Sequence, residues 1–252
     1  MKLVCVGTGT AAPESDRACS GYWVEAGDVR LLLDCGPGVV HSLARLNIGW
    51  PALTHLVLTH FHNDHIGDVP FLFFALHYGT GQPRRAPLAV IGPKGTKLLF
   101  RKLARAFGKH LRSPAFEVSY HELEDGGSVE LATGVQLSAL ATPHTAESLA
   151  YRLQCAGRAL GYTGDTGESA GLAAFMSGVD LLIAECSLPD EQAMAAHLTP
   201  ARLARLASAA SPRLLVPTHV YPQLDRATLP AAIAAAGWGG EVVIARDGLV
   251  LT

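Results

Sequence analysis

The run Thr59-His60-Phe61-His62-Asn63-Asp64-His65 constrains this chain more than any other stretch of similar length. It closes a short apolar segment, His55–Thr59, that reads as a strand, and it opens a helical pattern beginning at Asp64. His60 and His62 are two apart just past a strand, so both imidazoles can turn to one side, while Asp64 and His65 can face a second point close by. Imidazole and carboxylate together suit zinc, manganese or iron. Four such donors within six residues crowd a single tetrahedral ion, so the turn predicts two adjacent metals. The alternative is a solvated histidine-rich turn, which needs no further donors elsewhere. Three further donors exist, each just after an expected strand: His144, Asp165 in Gly164-Asp165-Thr166-Gly167, and His219. Singly, a strand-end histidine reads as a surface residue and an aspartate between glycines as a turn former. Their shared position at strand ends is what joins them to the turn.

The rest of the chain can support such a site. Its 252 residues are 49% hydrophobic and 17% charged, which excludes a disordered chain, a collagen and a charge-laced coiled coil and leaves ample apolar material for one domain spanning 1–252. A net charge of −2 argues against a whole-surface polyanion binder. No apolar run approaches the ~18 residues of a membrane span, and no signal-peptide pattern opens the chain. Cys5, Cys19, Cys35, Cys155 and Cys186 are odd in number and scattered, without a Cys-x-x-Cys. They read as a reduced, cytoplasmic chain with no disulfide framework, and Cys186 as a small buried residue.

Strands are expected at Leu3–Val6, Gly21–Glu25, Arg30–Asp34, His55–Thr59, Leu88–Ile91, Phe116–Tyr120, Val135–Ala141, Leu149–Cys155, Ala159–Thr163, Leu181–Glu185, Leu214–Thr218 and Glu241–Ala245. Helices are expected at Gly38–Leu46, Asp64–Tyr78, Pro93–Leu111, Glu168–Met176 and Pro200–Ala210, with Pro93 and Pro200 in first turns and Thr199 as an N-cap. Ala156-Gly157 and Thr133-Gly134 read as hairpin turns. The α/β mixture predicts sheet against sheet with helices outside.

These residues resemble the metallo-β-lactamase superfamily over nearly the whole length. Asp34 in Leu33-Asp34-Cys35-Gly36, the His60–His65 cluster, His144, Asp165 and His219 fall in that superfamily's order. The resemblance implies an αββα four-layer sandwich with two divalent ions, Zn2+ foremost and Mn2+ or iron as alternatives. It implies one ion on His60, His62 and His144, a second on Asp64, His65 and His219, Asp165 bridging them, and Asp34 steadying a ligand. Within the superfamily the ribonuclease Z branch is the most similar. Val6-Gly7-Thr8-Gly9-Thr10-Ala11-Ala12-Pro13 with Arg17, Leu32-Leu33-Asp34-Cys35-Gly36-Pro37-Gly38, and His197-Leu198-Thr199 carry that likeness, with Glu185 matching the glutamate that orients the branch's proton-donating histidine. The long Gly/Pro-rich arm with which typical members grip tRNA has no counterpart. His144 and Asp165 are only 21 positions apart, and an expected strand pair fills the interval. The loop also reads His197-Leu198-Thr199-Pro200 where the branch has His-Ser-Thr-Ala.

The expectation is therefore a metal-dependent phosphodiesterase with endonuclease-like chemistry but without the tRNA grip, acting on a small diester or RNA, with His197 and Glu185 catalytic beside Asp64 and Asp34. A homodimer is a further implication of the likeness. Two alternatives share the metal ligands: a thioesterase or lactonase of the glyoxalase II type, in which His197 is incidental, and a metal-stabilised anion-binding protein with little turnover. Antibiotic-hydrolysing relatives place a cysteine where Asp165 stands, and flavodiiron proteins a glutamate where His62 stands. From Arg84 to Arg112 there are nine Lys/Arg and no acidic residue. Lys94, Lys97, Arg101, Arg105 and Lys109 recur at helical steps on one face, with Leu99, Leu103, Ala106 and Phe107 on another. That face is either a solvated helix side or a contact for a phosphate backbone. His41, His55, His77, His110 and His121 are taken as structural or surface residues.

Overall fold

The computed structural model describes the whole chain except Pro83, Ser113 and the side chain of Arg112. Alternation of period two sets its layers. In β1 (Lys2–Gly7), β2 (Gly21–Ala26) and β3 (Val29–Leu33), the residues Leu3, Cys5, Tyr22, Val24, Leu31 and Leu33 enter one core, while Val4, Val6, Trp23 and Leu32 enter another on the opposite face. Strands apolar on both faces must be covered on both. One side is covered by a second sheet and the other by helices.

The first sheet has the order β14-β1-β2-β3-β4-β5-β6, adding β4 (His55–Val57), β5 (Leu88–Pro93), β6 (Val118–Leu123) and β14 (Val250–Leu251). The second has the order β13-β12-β11-β10-β9-β8-β7, with β7 (Ser128–Ala132), β8 (Val135–Ala141), β9 (Leu149–Cys155), β10 (Arg158–Tyr162), β11 (Leu181–Glu185), β12 (Leu214–Thr218) and β13 (Glu241–Val242). α1 (Val39–Arg45), α2 (Asn63–Ile66), α3 (Val69–Tyr78) and α4 (Thr96–Phe107), followed by the one-turn α5 (Lys109–Arg112), lie outside the first sheet. α6 (Ala170–Phe175), α7 (Pro200–Ala210) and α8 (Leu229–Ala235) lie outside the second. The four layers are those of an α/β, αββα sandwich.

Both hairpin turns form. Cys155 pairs with Arg158 across Ala156 (φ 50°) and Gly157 (φ 75°), the doubly left-handed turn that matches strand twist, and Ala132 pairs with Val135 across the other. Several expected boundaries move for local reasons. The Asp64–Tyr78 helix is two helices, because Pro70 offers no N–H to the carbonyl of Ile66. Pro93 ends β5 opposite Leu123 instead of starting a helix, and α4 begins after left-handed Gly95. Left-handed Gly108 then separates α5. Thr199 stands at the N-cap of α7 but its side chain makes no capping bond. Leu99, Leu103 and Phe100 of α4 pack inward as an amphipathic helix requires, whereas Ala106 and Phe107 are exposed. β7, β14 and α8 carry too short or too alanine-rich a pattern to have been expected.

β3, β4 and β5 are mutually parallel, as are β10, β11 and β12. Their carboxyl ends gather at one edge of the sandwich, where open α/β sheets place ligands.

Candidate active site

Eight segments deliver side chains to that edge. Asp34 follows β3, His60–His65 follow β4, His144 follows β8 and Asp165 follows β10. Glu185 ends β11, Ser187 lies two residues on, His197 precedes α7, and His219 follows β12. Asp34 (φ 55°) and His219 (φ 53°) both hold left-handed backbone, which Asp and His adopt more readily than most residues and which Asn47, Ala156 and Ser211 also adopt. Gly36 lets the β3 turn press onto α2: a Cβ there would lie 1.9 Å from the carbonyl of Asp64. Cys35 N donates to His65 O at 2.7 Å across the same contact.

Four of the five cluster histidines have Nδ1 committed elsewhere. His65 Nδ1 donates to Asp34 Oδ2 at 2.8 Å. Thr59 Oγ1 gives its proton to Asp34 Oδ2 and therefore accepts from His60 Nδ1, at 3.0 Å. Ser187 Oγ gives its proton to Glu185 Oε2 and accepts from His219 Nδ1, also at 3.0 Å. His144 Nδ1 donates to Ala196 O at 3.1 Å. In each ring the Nε2 lone pair is thereby turned to the common centre. His62, the most exposed, brings Nδ1 to 3.0 Å from His144 Nε2.

These atoms form compact sets: His60, His62 and His144; Asp64, His65 and His219; and His60, His65 and Asp165. Asp165 Oδ1 lies 3.3 Å from His65 Nε2, and Oδ2 lies 3.6 Å from His219 Nε2 and 3.7 Å from His144 Nε2. His60 Nε2, His65 Nε2 and Asp165 Oδ1 are buried with no hydrogen-bond partner. An orphaned buried polar atom costs ~1–3 kcal/mol, so three converging on one point fit a divalent cation. Burial drives the His60 pKa down to about 2, the charge of His65 adding to it against the pull of Asp165. Burial likewise lowers His144. Burial would raise Asp165, but the charges of His219 and His65 outweigh it and hold the carboxylate well below its usual range. Neutral His60 and His144 and ionised Asp165 are in the protonation states that ligation demands, whereas for His65 burial is outweighed by Asp165 and Asp34, which raise its pKa, so an ion bound there would displace its proton.

Asp34 is fully buried and accepts from Thr59 N, Thr59 Oγ1, His65 Nδ1 and Tyr162 OH, all within 2.9 Å. Asp34→Ala strands those donors. We expect a loss of ~3–5 kcal/mol in urea unfolding of the metal-free protein and ~10–100-fold weaker metal binding by competition with a chelator. An unchanged metal affinity would overturn the orienting role.

Glu185 is also fully buried and accepts four bonds. Thr166 N reaches it at 2.7 Å, Ser187 Oγ at 2.6 Å, Leu198 N at 3.1 Å and His197 Nδ1 at 2.9 Å. Burial lowers the His197 pKa, but the hydrogen bond and charge of Glu185, then Asp165 and Asp64, raise it on balance. The ring borders the donor cluster, its centroid 4.9 Å from that of His144, and a donor atom of His197 lies within 4.8 Å of donor atoms of His144 and Asp165. Thr59, Tyr162 and Ser187 join the site without having been singled out in the sequence. Thr59 had a signal in its adjacency to His60 and Ser187 in lying two residues past Glu185; Tyr162 had none. His41, His55, His77, His110 and His121 stay outside the cluster, and Cys186 is buried. Lys94, Lys97, Arg101 and Arg105 are exposed. The start of α4 abuts the histidine turn, since a Cβ on Gly95 would lie 3.3 Å from the Phe61 ring. Lys94 pairs with Glu124 at 3.0 Å, and Glu122 caps the α4 N-terminus.

Comparison with known proteins agrees with this geometry. Residues 29–220 match the model of the Beta-lactamase superfamily domain. The ribonuclease Z of Haloferax volcanii is 28% identical, over 98% of this chain and 93% of the relative. That of Mycobacterium avium is 28% identical, over 98% and 96%. The Haloferax alignment runs over 303 positions, more than this chain's 252 residues, so that relative carries stretches without a counterpart here. Among solved structures, the metallo-beta-lactamase fold protein YhfI of Bacillus subtilis superimposes with TM-score 0.85 at 26% identity, over 99% of this chain and 98% of that one. The short form of human tRNase Z shares the fold with TM-score 0.82 at 23% identity, over 100% and 99%. A matched region that takes in Asp34, the whole histidine turn, His144, Asp165, Glu185, His197 and His219 is the basis for the assignment: this chain belongs to the β-lactamase superfamily, as a metal-dependent hydrolase of the metallo, ribonuclease Z-like kind.

Proposed function

We propose that this chain is a dinuclear phosphodiesterase whose proton donor is His197. The observation that carries the reading is the pairing of two three-donor sets around Asp165 with the Glu185–His197 hydrogen bond of 2.9 Å at their rim. His60, His62 and His144 would hold one ion, Asp64, His65 and His219 the other, and Asp165 both. Bound there, two divalent ions, Zn2+ foremost, would supply Lewis-acid polarisation of a phosphoryl oxygen and an activated water. The chain's own residues do the rest. Asp34 and Thr59 hold His65 and His60 in the ligating tautomer. Glu185 holds His197 Nδ1 and leaves Nε2–H to serve the substrate. As a water oxygen bonds to phosphorus, the P–O bond to the leaving group breaks; its electron pair stays on the leaving oxygen, which takes the His197 proton and departs as an alcohol. A thioester or lactone has less need of such a donor, which favours the diester.

The substrate is a small diester or RNA. Exposed Lys97, Arg101 and Arg105 on α4 favour RNA, because they add cationic surface leading away from the histidine turn. Exposed Phe71, Phe74 and Tyr78 on α3 support a second copy of the chain as partner. Five unpaired cysteines suit the cytoplasm. Among the described residues no helix is long and apolar enough to cross a membrane.

The test is hydrolysis of bis(p-nitrophenyl) phosphate by metal-loaded protein, beside a chelated control, a thioester and a lactone, with metal content read by elemental analysis. Metal-dependent diester turnover at two ions per chain is expected. Turnover confined to the thioester or lactone would overturn the reading, as would two bound ions with no turnover at all.

A further inference from the structure

The loop that carries His197 is exposed, yet its backbone is held at almost every carbonyl. Ala193, Met194 and Ala195 face solvent and offer little apolar packing, so polar contacts must set the loop's conformation. Arg202, on the first turn of α7 and half-buried, donates through one terminal nitrogen to both Met194 O and His197 O, the latter at 2.9 Å. Its Nε faces Glu168 Oε2 at 3.3 Å, and Glu168 Oε1 accepts from Arg205 at 2.7 and 2.9 Å. Ala196 O accepts from His144 Nδ1, and the carbonyl of Ala195 rests on Gly167, where a Cβ would come within 1.9 Å of it. Gly167 N in turn donates to Pro143 O at 3.2 Å. Glu168 and Gly167 directly follow Asp165-Thr166, and Pro143 precedes His144.

We propose that Arg202, braced by Glu168, is a positioning residue for proton donation. It locks the loop so that His197 sits at a fixed distance from the segments bearing His144 and Asp165. Glu185 grips the ring of His197 and Arg202 grips its backbone; the ring cannot hold its place if the backbone drifts. Two N–H bonds from one terminal nitrogen to carbonyls three residues apart, with Nε held on Glu168, make a grip that lysine, having no second nitrogen, reproduces only in part. The proposal rests on the proton-donor reading of His197.

Its signature is a dependence on leaving group that a general structural fault would lack. p-Nitrophenolate departs without an acid, whereas an alkoxide needs one. The test compares wild type, Arg202→Ala, Arg202→Lys, His197→Ala and the double variant His197→Ala/Arg202→Ala. Their rates are measured on thymidylyl-thymidine and on bis(p-nitrophenyl) phosphate, with metal content measured for each. For Arg202→Ala the ratio of the two kcat values, alkoxide over phenolate, is expected to fall about 10- to 100-fold, the scale of a donor misplaced by ~1 Å. KM and metal content stay as in wild type, and Arg202→Lys recovers part of the ratio. The double variant is expected to be no slower on the dinucleotide than His197→Ala alone, because Arg202 acts through His197. A normal ratio in Arg202→Ala, equal losses on both substrates, or additive losses in the double variant would each overturn the proposal while leaving the His197 reading intact. A normal ratio in His197→Ala would overturn both.

Discussion

Asp165→Ala is expected to lose bound metal and at least ~10³ in turnover on any substrate. Asp165 is the one carboxylate whose two oxygens face donors of both sets, with His65, His219 and His144 at 3.3, 3.6 and 3.7 Å. Its removal also leaves four imidazoles without their central anion. A metal ion contributes several kcal/mol of transition-state stabilisation, and ~4 kcal/mol corresponds to 10³. Elemental analysis of the purified variant and kcat on bis(p-nitrophenyl) phosphate check it. Two retained ions would sink the bridging role. Retained turnover at depleted metal would sink the dinuclear reading itself.

The second large effect is on His197. His197→Ala is expected to cost ~10²–10⁴ in kcat where an alkoxide leaves, far more than where p-nitrophenolate leaves. The sign of the pH dependence follows from the protonation state. On the proposed reading the donor would act as imidazolium, and the His197 pKa is raised because burial is outweighed by Glu185, Asp165 and Asp64. Alkoxide turnover therefore holds at neutral pH and falls as pH rises through that raised pKa. Glu185→Gln keeps the shape but removes the main charge that raises it, so burial prevails and the falling limb moves to lower pH. A pH–rate profile of both variants decides the matter. An alkaline limb that stays in place in Glu185→Gln would show that another group is titrating.

Much of the architecture was legible from local pattern. Val135–Ala141, Leu149–Cys155, Leu181–Glu185, Leu214–Thr218 and Pro200–Ala210 occupy the spans their periodicity indicates, because one face, or both, must be buried. The misses have local causes as well. Pro70 breaks a helix whose apolar pattern runs on through it, and Pro93 closes a strand where its ring could equally have started a helix. Phe107 faces water where its helical step pointed inward, because Gly108 ends the helix and turns the chain away.

By itself the sequence determined the inventory of chemistry. The histidine turn and the lone donors after expected strands are readable, since donor type and strand-end position are local properties, whereas Glu185 and His197 are readable only through the family resemblance. Only the tertiary structure decided which atoms converge. Parallel register brings the ends of β3, β4, β10, β11 and β12 to one edge, joining residues as far apart as Asp34 and His219. Which nitrogen of each histidine is free depends on partners such as Thr59, Ser187, Asp34 and Ala196 O, which lie in other segments or point the right way only after folding. The grip of Arg202 on the His197 loop belongs to the same class. A hydrogen bond is a matter of tenths of an ångström and of angle, and neither is written in the spacing of residues along a chain.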